Sequence, residues 1–381
     1  MKGMDVLNHS TLYMKIKHYL LVLVALLPLL HACRKDETEQ LSLPAIAANN
    51  AIAATGFANG FFIANEGWYG HGSGDLHFYD YSADTLRLNI YAAANPGKTL
   101  GGATSTLQFA TTFRNKMYIV VKAGGPLVVT DANTMVETAR LTTMPDNDGH
   151  AFLGLDSTKG LLTTSGGVYP IALPGLTAGA KLPGISSYSG DMIKAGNYIF
   201  VHAQTEGIVA YNASSLTVAR SFGTANLCFA LGKDGAVYAA NTDSLIRINS
   251  TTLARSAVKL PFSTPSPWGA WRHSAITSST TDSSIFIVRN NGFMGGTTLY
   301  RYVIGNTASL STPFITLPSG QYFYGAGTAY DKSNNTLVVT TVNGPFTGSV
   351  NTVLRYNAST GALINSNVFN GWYFPAMPVF H

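Results

Sequence analysis

Asp131-Ala132-Asn133-Thr134, Asn212-Ala213-Ser214-Ser215, Asn249-Ser250-Thr251-Thr252 and Asn357-Ala358-Ser359-Thr360 are four copies of one cassette, with a looser copy from Asp80 to Thr85. In each, an apolar strand ends in Asp or Asn, turns through Ser or Thr, and continues as another strand. Asp and Asn suit the first position because their short side chains accept from backbone N–H groups two residues on, and the following hydroxyls add weaker bonds of the same kind. Intervals of roughly 40 to 50 residues, each holding several short strands, are the period of β-propeller blades.

Working outward, the strand candidates group into seven blades. The first has Phe61 to Asn65, Leu76 to Tyr81 and Leu86 to Tyr91; the second has Leu107 to Phe113, Lys116 to Val121, Leu127 to Thr130 and Val136 to Leu141. The others run from Ala151 to Leu182, Asp191 to Phe222, Leu227 to Leu260, Trp271 to Leu317 and Gly325 to Phe369. Blade one lacks an innermost strand, while the chain finishes in an unassigned apolar segment, Phe374 to Phe380. The expectation is an all-β, seven-bladed propeller whose ring is closed by that C-terminal strand joining the first blade, which would hide an open sheet edge. Its prolines fit a paired strand poorly.

Composition agrees. Of 381 residues, 46% are hydrophobic and 11% charged, with 38 Gly and 19 each of Tyr and Phe, which favours short strands and Gly turns over long helices. A propeller reaches this length as one domain.

The start of the chain reads as a leader. Met14-Lys15-Ile16-Lys17-His18 is a basic start, and Tyr19 to Leu30 is an apolar run too short for a helix of about 20 residues to span a bilayer. The domains expected are a signal peptide over 1–32, a flexible tether over 33–58 and a propeller over 59–381. Without the leader the chain keeps 21 basic and 18 acidic residues, scattered singly, so a nucleic-acid partner is not expected. Cys228 is the other cysteine and reads as a buried small hydrophobe.

In an up-and-down meander, the loops between second and third strands and those between blades emerge on one face. All four Trp lie in or beside those loops, together with several Tyr and Phe. Aromatic rings gathered on one rim suit a large ligand with flat apolar faces and polar edges, although packing between blades is the other common role of such rings. The candidate ligand-binding residues are Glu66, Trp68, Tyr69, His71, Tyr188, Trp268, Trp271, Phe293, Tyr324, Phe346, Trp372 and Tyr373.

No nucleophile elbow, zinc spacing or phosphate-cradling loop is present, so no catalytic residue, metal or cofactor is expected. His71 and His77 lie six apart across a loop and strand, and read as exposed or structural rather than as metal ligands. Asp146-Asn147-Asp148-Gly149 offers oxygen donors but lacks the later Glu of a complete calcium loop. A propeller hydrolase or lyase would need ionisable groups converging at the channel, for which Glu66, Asp75, His150 and His202 are the candidates.

Two ends of the chain carry a resemblance. Leu30-His31-Ala32-Cys33 resembles the lipobox of bacterial lipoproteins, with His in place of the usual small residue, which implies lipidation at Cys33. Arg34-Lys35-Asp36-Glu37 resembles the export signal of Bacteroidetes-type lipoproteins, which implies a lipid anchor on the outer face of the outer membrane. Phe61 to Gly70, followed by Gly72-Ser73-Gly74-Asp75-Leu76, and the closing Trp372 to Pro378 resemble a Bacteroidetes lipoprotein propeller family distantly similar to YVTN/YncE-type propellers. Some members of that group capture cobalamin or related corrinoids and pass them to a TonB-dependent outer-membrane transporter. The resemblance therefore implies a non-enzymatic surface protein with those partners. A glycan- or protein-binding propeller stays open as the alternative reading, because the middle blades carry no motif for a corrinoid contact.

Overall fold

The structure is a computed structural model that describes residues 56–381, apart from 269–270, 290–294, 372 and the side chains of Pro345 and Phe346. The leader, Cys33 and the export-signal residues lie outside the described residues.

In chain order the strands are β1 (Gly60–Asn65), β2 (Leu76–Asp80), β3 (Thr85–Arg87); β4 (Thr106–Phe113), β5 (Lys116–Lys122), β6 (Leu127–Asp131), β7 (Glu137–Leu141); and β8 (Gly149–Gly154), β9 (Lys159–Thr164), β10 (Gly167–Ala172), β11 (Thr177–Ala178). They continue as β12 (Ser189–Ala195), β13 (Tyr198–Ala203), β14 (Gly207–Asn212), β15 (Val218–Ser221); and β16 (Leu227–Leu231), β17 (Ala236–Ala240), β18 (Ser244–Asn249), β19 (Arg255–Lys259). The last are β20 (Ile276–Ser278), β21 (Ser284–Arg289), β22 (Thr298–Val303), β23 (Ile315–Thr316); β24 (Gln321–Asp331), β25 (Thr336–Asn343), β26 (Val350–Asn357), β27 (Leu363–Asn370); and β28 (Pro375–Val379).

These strands form seven four-stranded antiparallel sheets, each a meander in sequence order except the first, whose order is β28-β1-β2-β3. The innermost strands β4, β8, β12, β16, β20 and β24 pack side by side in succession, and β28 lies between β24 and β4. The chain is thus a seven-bladed propeller closed by its own C-terminus. Register within the closure sets Phe62 opposite Val379 and Ile63 opposite Pro378. β28 is paired on one side only, so a proline can turn its missing N–H towards the channel without costing a ladder bond.

The cassettes sit where the sequence places them, joining outer strands. Asn249 Oδ1 accepts from the Thr251 and Thr252 N–H groups at 2.9 and 2.8 Å, and Asp131 Oδ1 accepts from Asn133 and Thr134 at 3.0 and 3.2 Å. One residue later the backbone turns left-handed, at Met135, Leu216, Leu253 and Gly361. Met135 and Leu253 accept that conformation while burying their side chains between blades. Apolar packing there outweighs the local preference for glycine.

One local expectation is corrected. Leu86 to Tyr91 does not continue as a strand, because Asn89 is left-handed (φ 52°) and a short helix, α1 (Ile90–Ala94), begins there. Asp75 Oδ1 and Oδ2 accept from the Tyr91 and Ala92 N–H groups, both at 3.0 Å, and satisfy the first turn from outside. Phe57, inside the stretch expected as tether, is buried against Phe62 and Phe78, with the Arg87 guanidinium 4.4 Å above its ring.

Replacing Phe62, fully buried at the closing seam, by Ala should cost about 3–5 kcal/mol. Asn249→Ala, which removes one turn acceptor, should cost about 1 kcal/mol. Urea unfolding of both variants measures the difference.

Candidate functional site

Among the described residues, six of the seven innermost strands break register near the end at which they begin. The shifts fall between Leu107 and Phe109 in β4, Gly149 and Phe152 in β8, Ser189 and Met192 in β12, Cys228 and Ala230 in β16, and Phe323 and Thr328 in β24. The sixth lies where Met377 and Pro375 of β28 meet Ala64 and Asn65. A bulge frees a residue from the ladder and re-aims its side chain, and bulges collect at rims and sites for that reason. Gln108, His150, Asp191, Phe229 and Tyr324 occupy these bulges. All lie at one end of the channel, on the face formed by the predicted loops.

In blade six the place of the bulge is taken by a loop. The chain between β19 and β20 runs to the far side of the channel, where the Trp271 carbonyl accepts from Lys122 Nζ (2.5 Å) in the second blade. The Trp271 indole, 2% exposed, packs with Phe109, Ala151 and Phe152 of blades two and three and stacks on His150, ring centroids 4.7 Å apart. Its Nε1 lies so close to Gly190 that a Cβ there would approach it to 2.1 Å, so Gly190 is needed for the plug to seat. Trp271 is therefore a floor to the face rather than an exposed contact.

Polar groups surround this indole. His150 faces Ser189 O through Nδ1 (2.6 Å) and Asp148 Oδ2 through Nε2 (3.3 Å), and the Tyr188 ring also stacks on it at 5.5 Å. Burial opposes the charge on Asp148, yet His150, the Ala123 N–H and Lys122 hold its carboxyl below the usual range. His273 Nδ1 hydrogen-bonds Asp191 Oδ1, while Asp191 Oδ2 accepts from the Ser274 N–H at 3.0 Å. Tyr324 donates to Glu66 Oε2, and burial followed by that carboxylate pushes the phenol well up. Burial lowers both Lys122 and Arg272, and Glu66 partly offsets this for each.

Other predicted residues divide by position. Tyr69 is 63% exposed and Tyr188 40%, while Trp68 stacks on His71 at 3.6 Å. Trp268 is half-buried, its ring 4.6 Å from His202, whose Nε2 meets Ala225 O at 2.8 Å. Tyr373 packs between blades, edge-on to His77 at 4.5 Å and near Phe369, so it belongs to the closing seam. Asp75, a candidate for channel chemistry, caps α1 instead. Phe293 and Trp372 lie outside the described residues, as does the Phe346 side chain. Three described indoles thus belong to loops of the same face.

Sequence reading missed Gln108, Lys122, Asp191, Arg272 and His273, and considered Asp148 only as an oxygen donor to calcium. The available signal was the run Trp271-Arg272-His273-Ser274 after a proline-rich loop, directly before a weak strand. Among the described residues, no three His, Cys, Asp or Glu side chains gather to hold a metal ion, and no helix is long and apolar enough to cross a membrane. Beside Arg272 and His273 lies a space of about 20 Å³, lined also by Leu227, Ser274 and Gly325. A larger cavity, about 290 Å³, opens on the opposite face between blades seven and one, lined by Asn59, Tyr81, Tyr330, Asp331 and Phe380.

A family model described as a domain of unknown function (DUF5074) matches residues 59–381. The chain belongs to the DUF5074 family. Comparison with curated protein sequences gives no match. Among solved structures, this DUF5074 propeller is similar to a quinonprotein alcohol dehydrogenase-like protein from Bacteroides thetaiotaomicron, with TM-score 0.70 and 20% identity over 86% of this chain and 79% of that one. It is also similar to the computationally designed Ika8 protein (TM-score 0.50, 13% identity, 80% and 90% covered) and to the dihydro-heme d1 dehydrogenase NirN, solved in complex with DHE (0.51, 8%, 84% and 75%). At such identities these likenesses establish the fold alone.

His77 gives the seam of the DUF5074 propeller a pH dependence. It is fully buried, Nδ1 accepts from the Asn89 N–H at 3.1 Å, and burial lowers its pKa to about 3. A depressed histidine contributes stability that is present above its unfolded value near 6.5 and lost as pH falls from there towards 3. Nearby Asp75, raised by burial to about 7 against three backbone N–H bonds, acts in the opposite sense and loses stability as pH rises through 7. Between pH 7 and 4.5 the native protein should therefore lose about 2 kcal/mol more than a His77→Gln variant, in which the Asp75 contribution cancels from the comparison. Urea midpoints at the two pH values measure this.

Proposed function

We propose that this DUF5074 propeller is a non-enzymatic cell-surface lipoprotein that captures a bulky ligand on the face floored by Trp271, and hands it to a TonB-dependent outer-membrane transporter. Cys33 would supply its lipid anchor and sole membrane attachment. The observation that carries the reading is the arrangement of the face: Trp68 with His71, Tyr69, Tyr188 and Trp268 belong to loops around a floor closed by one indole and ringed by hydrogen-bonding side chains. Such a surface suits flat apolar area with polar edges, and each aromatic contact contributes about 0.5–1.5 kcal/mol. A corrinoid has that character, and the likeness of the two chain ends to corrinoid-capturing lipoproteins makes it the first ligand to try.

A second reading rests on Asp191 and His273. An imidazole oriented by a buried carboxylate, beside Arg272, is a constellation that a hydrolase or lyase uses for proton transfer. The small space beside it leaves room for no more than a water-sized group, which favours capture.

Titration of the purified protein with cobalamin should give binding at micromolar concentration or tighter, weakened about tenfold or more by the double replacement Trp68→Ala and Tyr69→Ala. Saturation unaffected by that pair would move the site off this rim. Absence of cobalamin binding, with binding of an oligosaccharide instead, would replace the corrinoid by a glycan.

A further inference from the structure

We infer that the outer edge of the seventh blade pairs with the same edge of a second copy of this chain, through β27. Outermost strands expose unpaired N–H and C=O groups, and proteins protect such edges with shortness or charge. Six blades do so here. β3, β11 and β23 have 3, 2 and 2 residues, while β7, β15 and β19 carry Arg, Lys or Glu. β27 has 8 residues, Leu-Ile-Asn-Ser-Asn-Val-Phe-Asn, and no charge. Leu363, Ile364 and Val368 on it are 52%, 52% and 61% exposed.

The phase of the strand makes this edge self-complementary. Gly371 N–H donates to Ser349 O, so alternation turns the backbone groups of Phe369, Asn367 and Asn365 towards β26 and those of Val368 and Ser366 outwards. Ile364 falls at the register shift between Asn365 and Leu363, where its N–H turns to β26 and its C=O outwards. The residues with outward backbone are those whose side chains are exposed. Asn365 and Asn367, on the other side, are engaged with Asp84 of blade one at 2.6 and 3.0 Å.

Two antiparallel copies aligned at Ser366 would therefore set Ile364 opposite Val368 twice about a two-fold axis. Ser366 would meet its own copy in a doubly bonded pair and each Val368 N–H would donate to an Ile364 carbonyl, giving about four backbone hydrogen bonds and one continuous sheet across two propellers. An uncharged edge meets its own copy without like-charge repulsion, whereas a strand bearing charges would leave them unpaired beside Ile364 and Val368.

Sedimentation of the full chain over a range of concentrations tests this, together with Val368→Lys and with Ser366→Cys in a Cys33→Ser background. Directly opposed residues of a bonded pair lie about 5.5 Å apart at Cα, within reach of a disulfide. The expected results are a dimer that Val368→Lys converts to a monomer with an unchanged circular dichroism spectrum, and a covalent dimer from Ser366→Cys under mild oxidation. Ser221→Cys, on charged β15, should give none. A monomer at every concentration without a Ser366→Cys dimer, a dimer indifferent to Val368→Lys, or a Ser366→Cys bond formed only to a different protein would each overturn the inference.

Discussion

Everything on the candidate face depends on the antiparallel pairing of β28 with β1. That ladder joins residues some three hundred positions apart and turns six consecutive meanders plus a three-stranded remainder into a ring. Without it, β1 and β24 would border an open wedge lined by Phe61, Ile63 and Val338, all fully buried in the closed molecule. The same seam sets the polar end of the channel. Glu66 and Gly67 donate their N–H groups to Phe374 and Tyr373 carbonyls, both at 2.9 Å, which holds Glu66 where Tyr324 of blade seven can reach it. Closure is thus both the stabilising event and the one that assembles the rim.

Within that ring, function and packing compete for the same aromatics. Trp271 and Tyr373 serve packing, Tyr69 and Tyr188 remain exposed, and Trp268 stands between the two. The bulged inner strands resolve a related conflict. A channel lined entirely by regular ladders would place side chains at fixed alternate positions, whereas the register shifts free Gln108, His150, Asp191 and Tyr324 at one end of the channel, where His150 stacks on the Trp271 indole. Charges there offset one another, with Lys122 near Glu66 and Asp148 and Arg272 near Glu66, so the floor holds its half-buried cations beside carboxylates.

How much of this was legible follows from the range of each interaction. The turn cassettes were readable because Asn249 and Asp131 bond to N–H groups two and three residues on, entirely within the local sequence. Closure was readable because an apolar tail had no other partner. α1 was not, since its first turn is capped by Asp75 across a loop, and Leu86 to Tyr91 reads locally as strand. The axial groups were least visible. Lys122 meets Trp271 across 149 positions and Asp191 meets His273 across 82, so neither pairing leaves a spacing pattern. Bulges carry no fixed residue signature either, because they arise from the pairing of two strands.

The most direct test of the account is the tryptophan emission of a chain ended at Tyr373, which keeps all four Trp and removes β28 and nothing from the other six sheets. If closure assembles the floor, emission should shift to the red of the native chain as the Trp271 indole meets water, and cooperative unfolding should broaden or move to much lower urea. An emission maximum and an unfolding midpoint equal to those of the intact chain would contradict it.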